Sequence, residues 1–132
     1  MRFIQFWILP SMPGLETSVQ QHQFDIADRT DRWLQIMGPA GEHGLDLAQD
    51  ARVFVSRMTA ADLAYSFGPD RGGYLYVIDG AVSTGDDDLA VGDAIKIYGS
   101  EDIAVKNPDT AELILVDVPL DFEPVGVWAG VR

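Results

Sequence analysis

The sequence predicts an all-β fold, an antiparallel sandwich or barrel, on three observations. Turn signals recur throughout, among them Pro13-Gly14, Gly38-Pro39, Gly68-Pro69, Gly72-Gly73, Gly80, Gly92 and Asn107-Pro108. The runs between them are short and rich in β-branched and aromatic residues. No window carries a long apolar repeat at helical spacing, so there are no helical crossovers to support a parallel α/β sheet.

The first predicted strand is Phe3 to Leu9, interrupted by Gln5. Arg32 to Met37 is the next, and Gly38 to Gly44 follows as a glycine-rich loop. In Ala51 to Met58, Ala51, Val53 and Val55 fall on one face and Arg52 and Ser56 on the other, the period-two pattern of a half-buried strand. Leu63 to Phe67 and Tyr74 to Asp79 come next, and then a Gly80 corner leads into Ala81 to Thr84. Asp86-Asp87-Asp88 reads as a solvated hairpin turn, since it lacks the ligand spacing of a calcium loop. Ile95 and Ile97 alternate with Lys96 within Ala94 to Tyr98, and Ile103 to Lys106 follows. Glu112 to Val118 is almost continuously apolar, as expected of a central strand covered on both faces.

At 132 residues, with 47% hydrophobic and 23% charged residues, the chain has the size and composition of a single globular domain, taken as 1–132. The net charge of -12 repels phosphate backbones and anionic surfaces, which argues against nucleic-acid and membrane partners. Without cysteine, thiol catalysis and thiolate metal sites are excluded. The Phe3 to Leu9 run is far too short to span a bilayer and has no signal-peptide layout, so the expected location is cytoplasmic.

Tyr74 to Gly85, a strand, a Gly corner and a second strand, resembles the hairpin of cupin barrels, a double-stranded β-helix or jelly-roll fold. The resemblance implies two ligand patterns. Anchored on Gly80, the first puts its Glu on Gly73 and its histidines on Phe67 and Pro69, or on Ser66 and Gly68. Anchored on Gly92, the second puts its His on Ile103 and its Asn on Asn107. A divalent transition metal needs imidazole or carboxylate groups converging from several strands, and Phe67, Pro69, Gly73 and Ile103 supply none. No metal or other cofactor is expected, and no catalytic residue. His22 and His43 lie upstream in loops, no Gly-x-Ser-x-Gly elbow accompanies them, and Gly38 to Gly44 has no phosphate-loop ending.

Phe3 to Pro10, followed by Gln20-Gln21, Gln49-Asp50-Ala51 and Glu112 to Pro119, resembles in order the second half of a pirin, a bicupin. Ala48 departs from the pattern, since relatives often carry His there. In bacterial pirins the first cupin carries the metal and the quercetin 2,3-dioxygenase activity, and the second lacks the ligands. The resemblance therefore implies a metal-free C-terminal cupin, not an enzyme on its own. Its partner would be a second cupin domain or a second copy in a homodimer.

Two sets of residues are candidates for contact. Phe3, Phe6, Trp7 and Ile8 at the start and Val125, Val127 and Trp128 near the end are apolar terminal segments suited to an interface. Arg57, Tyr65, Tyr74 and Tyr76 are candidates to place polar tips in a barrel cavity, which would make the chain a small-molecule-binding barrel.

Overall fold

A computed structural model describes residues 2–99, 101–106 and 109–125 of the chain. Among these, ten strands follow an irregular N-terminal segment and one 3-10 turn, Ile26–Arg29. They are β1 (Leu34–Pro39), β2 (Leu45–Leu47), β3 (Arg52–Met58), β4 (Leu63–Ser66), β5 (Arg71–Asp79), β6 (Ala81–Thr84), β7 (Asp87–Ala90), β8 (Ala94–Tyr98), β9 (Asp102–Lys106) and β10 (Ala111–Pro119). Six of them form one sheet in the order β2-β1-β3-β10-β5-β8, and four form the other in the order β4-β9-β6-β7. Within the described residues no helix is long and apolar enough to cross a membrane.

The apolar β10 lies inside the larger sheet, between β3 and β5, as its composition predicts. Its register sorts its side chains onto two faces. Leu113 stands between Ser56 and Val77, and Leu115 between Phe54 and Leu75. Both leucines are fully buried and belong to the core that fills the space between the sheets, with Leu63, Phe67, Ile97, Ile103 and Val105. Each such side chain contributes about 1.5–3 kcal/mol by leaving water.

The other face of β10 is apolar too. Ile114 stands between Val55 and Tyr76, and Val116 between Val53 and Tyr74. Val53 and Ile114 are buried yet lie outside the central core. The large sheet thus has two apolar faces, and the second needs cover of its own.

Gly80, between β5 and β6, has φ of +75°, a conformation side chains rarely adopt. A Cβ there would also strike the backbone of Thr110 and Ala111, so the corner accepts only glycine.

Three expectations change. Phe3 to Leu9 forms no strand; it runs over the outer face of the large sheet without a ladder. The chain leaves the Gly-rich loop into β2, which pairs with β1 in parallel, Met37 opposite Leu45. Gln20 then closes the free edge of β2 with its side-chain amide: Asp46 N donates to its Oε1 at 2.8 Å, and its Nε2 donates to Asp46 O at 3.0 Å. The acidic turn is also tighter than expected, because Asp87 and Asp88 are already in β7 and Ser83 Oγ donates to Asp88 at 2.6 Å.

Candidate functional site

Phe67, Gly73 and Ile103 converge inside the barrel. Phe67 and Ile103 are buried core residues, and Ile103 faces Tyr65 across the β4–β9 ladder. Gly73 stands between Ile97 and Asp117. A Cβ on Gly73 would fall on the ring of Phe67, so no longer side chain fits there. Tyr65 packs edge-on to Phe67 with centroids 4.9 Å apart, and Phe54 lies 5.1 Å from Tyr65 on its other side. Pro69 sits in the exposed loop before β5, and Asn107 lies outside the described residues. Among the described residues no group of three or more His, Asp or Glu side chains is placed to hold a metal ion. Phe67, Gly73 and Ile103 carry no metal-donor atom, and Phe54, Tyr65 and Phe67 form a cluster of tilted and edge-on rings beside them.

Beside those rings is a polar cluster that spacing alone did not reveal. Asp117, 3% exposed, accepts a hydrogen bond from Arg71 Nε at 2.6 Å and another from the Tyr65 hydroxyl. Arg71 also donates to the Asp50 carboxylate at 2.6 Å and to the Asp50 carbonyl at 2.9 Å. Arg52 then links Asp50, at 3.1 Å, to Glu42, which it grips through Nε and Nη2 at 2.9 Å each. Burial, followed by the bond to Asp117, pushes the Tyr65 phenol well above its ordinary pKa. Burial works against the charge on Arg71, but the bonds to Asp117 and Asp50 outweigh it and raise its pKa. The phenol therefore stays protonated and donates. Because Tyr65 is on β4 and Asp117 on β10, this bond ties the two sheets together. The signal in the sequence was Asp117 itself, the one charge between Leu113 and Val118.

On the far side of the large sheet lies a groove of about 720 Å³. Its floor is Tyr74, Tyr76, Ile114, Val116 and Val118, and its walls are the segment from Phe3 to Leu9 and Phe122. The segment is pinned at its two ends. Arg2 donates to Ile78 O at 2.7 Å, Gln49 Nε2 to Leu9 O at 2.9 Å, and Ser11 N to Ala48 O at 2.7 Å. Between the pins, Phe6 and Ile8 are half-buried while Phe3 and Trp7 are 81% and 80% exposed.

The candidate cavity residues therefore separate. Tyr65 is interior, Tyr74 and Tyr76 line the outer groove, and Arg57 pairs in register with Glu112 away from either place. Of the C-terminal candidates, Val125 is half-buried, and Val127 and Trp128 lie outside the described residues. His22 and His43 are exposed and flank Phe24, with ring centroids 4.5 and 6.2 Å from it.

Known proteins share this fold. YhhW from Escherichia coli superposes with a TM-score of 0.78 over 89% of this chain and 50% of its own, at 19% identity. A second crystal structure, of bacterial pirin YhhW from Escherichia coli in complex with nickel(II), gives 0.63 over 73% of this chain and 41% of its own, at 18% identity. YhaK from Escherichia coli gives 0.58 over 66% of this chain and 41% of its own, at 20% identity. The chain spans half or less of the length of these neighbours. No curated protein matches it. Residues 35–118, well over half of the chain, match the family described as the quercetinase C-terminal cupin domain. The chain belongs to that family, as the C-terminal cupin of a pirin.

Proposed function

We propose that this chain is a metal-free pirin-type cupin that serves as a structural and interaction module in the cytoplasm and associates with itself. The observation that carries the reading is the ring of Phe67 lying where a side chain on Gly73 would go, within an apolar wall completed by Ile103. A barrel whose centre is packed in this way has no open coordination position at which to activate a substrate. Its unsatisfied apolar surface is outside, on the large sheet. Elemental analysis of the purified chain tests the metal-free part, and sedimentation at micromolar concentration tests self-association. A tightly held iron, nickel or copper ion in each chain sinks the first, and a monomer sinks the second.

The family description favours one further reading, that this domain is part of a quercetin 2,3-dioxygenase-like enzyme whose metal lies in another cupin. On that reading quercetin is consumed only when a metal-bearing cupin is supplied, and the isolated chain has no turnover. Activity of the isolated chain with quercetin would contradict both readings.

A further inference from the structure

We infer that two copies of this chain join face to face across the outer groove, each inserting Phe3 and Trp7 into the groove of the other. This rests on the self-association proposed above and names its face and its contact. Charge singles out that face. The chain carries -12, so two copies repel over most of their surfaces. None of the residues lining the groove is Asp, Glu, Lys or Arg. Across the groove itself two acidic molecules approach without setting carboxylates against each other.

Geometry selects a second copy as the occupant. Phe3 and Trp7 stand 81% and 80% exposed on the wall of the same groove whose floor is Tyr74 and Val116. When projecting side chains and a receptive groove share one face, a two-fold axis satisfies both at once and the assembly closes as a dimer. The exposed parts of Phe3, Trp7, Tyr74 and Phe122 amount to on the order of 500 Å² per copy, much of the roughly 800 Å² per partner of a stable interface. The Tyr74 and Tyr76 hydroxyls and the Gln5 amide make no hydrogen bond with the described residues, which leaves polar groups in the groove for the other copy.

Sedimentation velocity on the purified chain and on a Phe3→Ser, Trp7→Ser variant tests the inference, with circular dichroism to verify that the variant is folded. The expected result is a dimer for the natural chain and a folded monomer for the variant. Because the chain has no cysteine, a second measurement leaves the aromatics in place. Gln5→Cys and Lys96→Cys chains, Lys96 standing opposite Tyr74 on the outer face, are mixed with a short bifunctional maleimide. Cross-links between the two should form much faster than with an Asp88→Cys control. A variant that stays dimeric, or cross-linking no faster than the control, overturns this face and leaves self-association standing. A monomeric natural chain overturns both and assigns the groove to a different partner.

Discussion

Asp117 is a carboxylate inside the most apolar strand of the chain, and its partners explain why it is tolerated. A buried charge is costly unless paired and hydrogen-bonded, and Arg71 and Tyr65 provide both conditions. Asp117→Asn leaves Arg71 with Asp50 alone and should lower stability by about 2–4 kcal/mol. Tyr65→Phe keeps the ion pair and should cost only about 1 kcal/mol. Urea denaturation of the two variants checks the order; equal losses would mean that the ion pair is not the dominant contact. Asp31 shows the opposite setting, at the surface with φ of 54°, accepting bonds from the Thr59 hydroxyl and the Thr59, Ala60 and Ala61 amides. The Thr59 hydroxyl first, and then the amides, hold its carboxyl well below the usual carboxylate range. A carboxyl with a depressed folded pKa adds stability above its unfolded pKa, about 4, and that stability is lost as pH falls below it. Stability measured from pH 5 down to pH 2 should therefore decline less steeply in Asp31→Asn than in the natural chain. Neither role was legible in advance, because both depend on partners distant in sequence: Asp31 meets residues 59 to 61, and Asp117 meets residues 65 and 71.

Strands long enough to show their periodicity were legible. β3, β5, β8, β9 and β10 lie where alternation or a continuous apolar run places them, to within a few residues. β2 has three residues and β7 has four, too few to show a period beside Gly-rich or acidic turns. Phe3 to Leu9 erred the other way. Its composition suits a strand, but a strand requires an edge to pair with, and the face it lies against offers side chains instead. The contact between Phe67, just after β4, and Gly73 of β5 also tests the packed centre. Gly73→Ala should destabilise the fold by about 1–3 kcal/mol through overpacking against Phe67. In a double-mutant cycle, Phe67→Leu should recover part of that loss, since it removes the ring that the new methyl strikes. Strictly additive costs would show that the two positions are not in contact.

For the molecule as a whole, the cupin frame was legible because its spacing survives in the glycines. The aromatic cluster of Phe54, Tyr65 and Phe67 was not, since it draws its rings from two different sheets and their connections. The outer groove was half legible. The aromatic opening segment marked it, but its floor comes from alternate residues of β5 and β10 whose outward direction only the register reveals. Interior and exterior thus differ: a packed, cross-tied centre and a groove lined by uncharged residues. We propose that the cupin metal position is closed in this chain. That closure is tested most directly by measuring the thermal midpoint and metal content of the purified chain after exposure to nickel(II) and after exposure to a chelator. The account predicts the same midpoint in both and no stoichiometric metal. A midpoint that rises with nickel(II), with one tightly held ion per chain, would contradict it.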